Sequence, residues 1–191
     1  MNKLKVFLSV VFVTAFCATQ LTAQIVTFDA VWTDPAGGPA TAVAKFDVDT
    51  SILPNPGSVP FNSPFGDAGI SNFTMEVFGA SSGNGTFVES DFDGGLVWDT
   101  LGATLDLSME LVGQPTGFDP FGTPSGAGGD LNFFSSTGAP TGTFFFTLTT
   151  NSGIGDTVVL QSLTPRVVPE PSALAVLSVG LAGLASRRRR I

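Results

Sequence analysis

The chain has no histidine, no tyrosine and one cysteine, Cys17, among its 191 residues. Each absence removes a class of chemistry. Without histidine there is no Ser–His or Cys–His pair and no imidazole base near neutral pH. Zinc loses its usual nitrogen and sulfur ligands. A lone cysteine allows no internal disulfide, so a folded body must rest on core packing. Bases are scarce as well: Lys3, Lys5, Lys45, Arg166, Arg187, Arg188, Arg189 and Arg190. Six of them lie towards the two ends. The stretch from Gln24 to Val168 keeps only Lys45 and Arg166 against fifteen Asp and Glu, a net charge of −13. Such a body repels nucleic acid and stays soluble despite its phenylalanines.

What is present sorts into three segments. Residues 1–23 start with Lys3 and Lys5, continue with an apolar run from Val6 to Ala18, and end in small and polar residues. This is the layout of a secretory signal peptide, with cleavage expected between Ala23 and Gln24 by signal peptidase. The run is short of the ~20 residues of a membrane span. An uncleaved anchor is the alternative, and Phe16 before Cys17 is too bulky for lipoprotein processing.

Residues 24–166 read as an acidic all-β body, an antiparallel sandwich resembling a jelly roll. Period-two alternation marks Val26–Trp32, Ala42–Val48, Phe73–Val77, Phe144–Leu148 and Thr157–Leu163. The longest alternation, Leu101–Val112, predicts a further strand. Turn formers separate these runs, among them Pro35-Ala-Gly-Gly, Asn84-Gly85 and Gly94-Gly95. Leu53–Pro64 and Gly113–Asp130 read as surface loops.

The body offers few chemical candidates. Asp91, Asp93 and Asp99 form its densest acidic run and would suit Ca²⁺, although an EF-hand loop would need further ligands that are missing. No other metal or cofactor is expected. A carboxylate pair could cleave glycosides, but nothing singles one out, and a non-enzymatic protein is expected. Fifteen Phe and two Trp serve mainly as core. Phe118 and Phe121, in a Gly- and Pro-rich loop, are the candidates for exposure and for stacking on a ligand. Asn72-Phe-Thr and Asn84-Gly-Thr match the N-glycosylation pattern.

The third segment, residues 167–191, holds Val168-Pro169-Glu170-Pro171-Ser172, an apolar stretch to Ser186, and Arg187, Arg188, Arg189 and Arg190. Its helical part, within 172–186, is about 15 residues or ~22 Å long, short of the ~30 Å hydrocarbon core. It crosses a bilayer only with local thinning or snorkelling arginines. The arginines hold that end in the cytosol and leave the acidic body outside the inner membrane. Pro169 and Pro171 keep the region of Glu170 extended, as a protease or transpeptidase requires.

This segment resembles the PEP-CTERM sorting signal in motif, spacing and position. The resemblance implies recognition by exosortase, a membrane-embedded transpeptidase-like enzyme. It further implies cleavage near Pro169-Glu170-Pro171, delivery to the cell surface, and association with extracellular polysaccharide in a biofilm or matrix. The resemblance does not reach the body. There the expectation is a structural matrix protein, with a carbohydrate-binding module and a glycoside-acting enzyme as successive alternatives.

Overall fold

Regular alternation of apolar and polar residues places the first strands. In the computed structural model, which describes residues 24–136 and 138–166, Ile25–Thr33 (β1) and Thr41–Asp49 (β2) bury every second side chain. They pair in full antiparallel register. The turn between them is tied by Asp34, whose carboxylate accepts the amide of Ala36 at 2.7 Å, a short Asx turn that reverses the chain. The remaining strands are Ser58–Ser63 (β3), Ile70–Phe78 (β4), Gly85–Val88 (β5), Leu96–Asp99 (β6), Asp130–Phe133 (β7), Thr141–Phe144 (β8), Thr147–Thr149 (β9) and Thr157–Arg166 (β10).

These strands form two antiparallel sheets. Seven run in the order β5-β4-β2-β1-β10-β9-β8 and three in the order β3-β6-β7. The antiparallel sheets form a half-barrel, and buried residues of both share one core. A jelly roll would divide eight strands between two sheets; the seven-and-three division found here departs from that expectation.

Phenylalanines fill the space between the sheets. Phe133 of β7 stands at the centre, its ring 4.6 Å from that of Phe73 on β4 and 5.9 Å from that of Phe46 on β2. Phe65, in the short 3-10 turn Phe65–Ala68, stacks on it at 5.5 Å. Trp32 of β1 closes from the edge at 6.2 Å. Each ring removes a large apolar area from water, and offset or edge-on pairing adds about 0.5–1.5 kcal/mol per pair. A cysteine-free domain of this size can be held by such a core.

One side of the half-barrel is sealed. Strands β7 and β8 approach so closely that a Cβ on Gly142 would stand 2.8 Å from the Cβ of Asn132. Buried Asn132 donates from Nδ2 to the carbonyl of Phe144 at 2.6 Å and to Asp130 at 2.9 Å. Asp130 in turn accepts the amide of Phe146 at 3.3 Å.

Three expectations are corrected. Leu101–Val112 is not a strand. Leu101 and Gly102 both take positive φ, 51° and 79°, in a turn, and Asp106 caps a second turn by accepting the amide of Ser108 at 2.9 Å. Short side chains that bond their own backbone compete with sheet pairing. Of that alternation Leu105 and Leu111 are fully buried and Leu107 packs against the core from its margin, while Leu101 and Met109 are exposed. The segment is held to β10 by Glu110 instead. Its carboxylate accepts the amides of Leu163 at 2.6 Å and Val112 at 2.9 Å and the hydroxyl of Thr164 at 2.5 Å.

The Phe144–Leu148 alternation is split. Residues Phe145 and Phe146 form the turn between β8 and β9, with Phe146 at φ 57°. Leu53–Pro64, read as a loop, contains β3. The expected signal peptide, the membrane helix and the arginine tail lie outside the described residues. Among the described residues no helix is long and apolar enough to cross a membrane.

Candidate functional site

The side of the half-barrel opposite the sealed one is open. There the edge of the large sheet, β4 and β5, stands apart from β3, and a groove of 660 Å³ lies between them. Its lining combines Asn62, Asn72, Glu89, Ser90 and Asp93 with the edges of Phe65, Phe73 and Phe92. The three rings are buried, 2–4% exposed, and form a firm floor. The volume falls in the ~300–1,000 Å³ range of small-ligand sites.

Two irregularities in the sheets build this groove. On β3, Pro60, Phe61 and Asn62 stand against Val97 alone. On β4, Asn72 and Phe73 stand against Phe46 alone. Each extra length of chain bends its strand and re-aims a side chain, a feature concentrated at sheet edges and next to active sites. Both bulges put an asparagine in the left-handed region, Asn62 at φ 64° and Asn72 at φ 53°. Asparagine is among the few non-glycine residues that tolerate this conformation.

Asn72 is also supported from behind. Its Nδ2 donates to Asp47 at 2.8 Å, and Asp47 accepts the hydroxyl of Thr27 at 2.6 Å. These two bonds hold the Asp47 carboxyl below its ordinary value, against a small opposing effect of burial, with Lys45 adding to them. Asn62, Glu89 and Ser90 are exposed at the mouth. Among the described residues no lysine or arginine lines the groove. Arg166 is bound to Asp29, and Lys45 lies on the outer face of β2 beside Asp29 and Glu76.

The sequence-predicted candidates are dispersed. Asp91 sits in a 3-10 turn, where it accepts the amide of Val88 at 2.8 Å. Asp93 lines the groove but binds the amide and hydroxyl of Ser136, which lowers its pKa. Asp99, on β6, accepts the amide of Leu101 at 2.8 Å. The three therefore act as separate turn anchors. Among the described residues no group of three or more His, Cys, Asp or Glu could hold a metal ion.

Phe118 is 98% exposed, as expected. Phe121 is not; at 1% exposure it packs against Trp98 at 5.3 Å and Phe146 at 4.9 Å. Its backbone explains this: Phe121 donates to the carbonyl of Gln114 and accepts the amide of Gly113, both at 2.8 Å, so the loop folds inwards as a small hairpin. Gln24 is exposed, with its carbonyl taking the amide and hydroxyl of Thr50 at 3.1 Å. Asn84, in the second glycosylation pattern, exchanges two hydrogen bonds with the backbone of Ala80. Ala23, the sorting residues Val168, Pro169, Glu170, Pro171 and Ser172, and the four terminal arginines lie outside the described residues.

One carboxylate pair does form, away from the groove. Asp99 and Asp130 face each other across β6 and β7. Burial pushes the Asp130 carboxyl up to about 6; the amide of Phe146 and the side chain of Asn132 oppose the rise, and the charge of Asp99 reinforces it. Asp130 is committed to holding the β8–β9 turn.

The groove was not legible as a unit, because β3, β4, β5 and two short turns each contribute only one or two residues. A usable signal was Asn72 directly before the Phe73–Val77 alternation, since asparagine is depleted in strands and marks an irregular backbone; Asn62, in a stretch that reads as a loop, gave none. No curated protein and no solved structure matches the chain. A family description does match its last segment, immediately after the end of β10: the chain carries a PEP-CTERM protein-sorting motif at residues 167–190.

Proposed function

We propose that this is an exported protein, processed by an exosortase-type enzyme at its Pro169-Glu170-Pro171 region. The acidic β-sheet body is then delivered to the cell surface as a non-enzymatic matrix component. One observation carries this reading: the sorting motif starts at residue 167, directly after β10 ends at Arg166. A complete folded unit is thus joined to an address segment with no other domain between them. Glu170 is the only charge in 167–186 and serves as the recognition handle, while the flanking prolines keep the peptide extended.

The test is the intact mass of the protein recovered from its native cells, beside the Glu170→Ala variant. The expected result is loss of residues 1–23 and of everything after the Pro-Glu-Pro region, with the variant exported but retaining its tail. A wild-type C-terminus intact to Ile191, or a variant trimmed at the normal rate, would overturn the reading.

A second reading, the body as a carbohydrate-binding module, is favoured by the open groove with its amides, carboxylates and apolar floor. Retardation on polysaccharide gels tests it.

A further inference from the structure

We infer that the groove between β3 and the β4–β5 edge is a binding site for a short stretch of an uncharged sugar chain. The inference rests on the second reading and names its site and ligand class. The exposed polar groups at the mouth are an amide (Asn62), a hydroxyl (Ser90) and a carboxylate (Glu89), and Asn72 adds another amide. Amides offer a donor and an acceptor side by side, and carboxylates accept from hydroxyls. Together they match vicinal hydroxyls, which also donate and accept. The apolar part of the lining, Val88 and the Phe65, Phe73 and Phe92 edges, suits the C–H face of a sugar ring.

Charge narrows the class. Glu89 and Asp93 line the groove, and among the described residues no base does. The body's two bases are elsewhere, one of them bound to Asp29. Uronate, sulfate and phosphate groups would therefore meet repulsion without compensation. The groove is open rather than enclosed, so a chain can lie along it.

The backbone supports the assignment independently. Of the four non-glycine residues at positive φ, among the described residues, Asn62 and Asn72 line this groove. Both sit at bulges, and Asn72 is braced by Asp47, which is itself braced by Thr27. Unfavourable backbone held by a supporting shell is concentrated at ligand sites.

The experiment is affinity electrophoresis and calorimetry of the protein purified from its cells. The probes are neutral glucan, mannan and galactan oligomers, a polyuronate, and oligolysine. Wild type should bind at least one neutral oligomer, with little dependence on salt, and should not bind polyuronate. Asn62→Ala and Glu89→Gln should each weaken binding about tenfold, the loss of one well-made hydrogen bond, with circular dichroism unchanged. Ser90→Ala, an exposed position outside the strands, supplies a third variant if either fails to fold. Neutral-sugar binding that survives all three variants but is lost in Phe118→Ala would overturn the groove assignment and leave the module reading standing. Absence of sugar binding, or binding of oligolysine alone, would overturn both. With the protein taken out of the membrane, none of these results depends on whether the C-terminal tail is removed.

Discussion

Replacing Asp130 by Asn should stabilise the protein, and the effect should depend on pH. The Asp130 carboxyl is raised from an ordinary 3.8 to about 6, first by burial. A group whose folded pKa is raised favours the folded state fully below the unfolded pKa. That contribution is lost as pH rises through the folded pKa. Ionised Asp130 is therefore a cost above pH 6 and none below about pH 4. The shift corresponds to at most about 3 kcal/mol, and because the side chain is only partly buried, solvent screening reduces this to about 1–2 kcal/mol. The amide oxygen of Asn can still accept from Phe146 and from Asn132, the two partners of Asp130. Charge is removed without removing those bonds, and the repulsion from Asp99 ends. Thermal unfolding followed by circular dichroism at pH 4, 5, 6, 7 and 8 reads this out. Asp130→Asn should melt about 2–8 °C higher than wild type at pH 7.5 and no higher at pH 4. A variant that is less stable at pH 7.5, or that shows the wild-type pH profile, would refute the argument that this carboxylate is desolvated.

The fold makes further demands. Phe121→Ala should cost about 3–5 kcal/mol in urea unfolding, whereas Phe118→Ala should stay within about 0.5 kcal/mol, although both belong to one loop. Glu110→Ala should cost about 1–3 kcal/mol, because the amides of Leu163 and Val112 lose their acceptor; Glu110→Gln, keeping one oxygen, should recover part of it. Asp47→Ala should lower sugar affinity with a smaller effect than Asn62→Ala, because it acts only by orienting Asn72.

The strands that sequence could place are those whose alternation agrees with a long neighbouring strand. Strands β1, β2, β4 and β10 satisfy this, and Thr27–Thr33 of β1 pairs on both flanks. The Leu101–Val112 alternation is equally regular but meets no such neighbour. Its leucines fill core positions Leu105 and Leu111 from a chain of turns, and period two alone does not distinguish that from a strand. The division at Phe145–Phe146 depends on Asp130, sixteen residues earlier, a contact no local pattern reveals. Phe121 was misplaced because a Gly- and Pro-rich stretch reads as surface, while its inward hairpin is set by two backbone bonds. The sorting segment was fully legible, since its signal is a contiguous run. The groove was not, since its lining residues Asp93 and Asn72 stand out in the sequence only for other chemistry, metal binding and glycosylation.

The end of β10 has a consequence for when the groove can act. Across one end of the large sheet the register runs from Arg166 to Thr27, from Thr27 to Asp47, and from Asp47 to Ser71, next to Asn72. The point of attachment and the groove therefore share an end of the sheet, three strands apart, or roughly 14 Å at the usual spacing. Six residues, 167–172, separate Arg166 from Ala173 at the start of the apolar run. Fully extended they reach about 20 Å, less than the width of a domain this size, roughly 35–40 Å. Under the anchoring proposed above, a body on so short a leash would stand with that end against the lipid headgroups, where a long polymer would have little room to thread. On that reading, the cut that changes the protein's address would in the same step uncover its cleft.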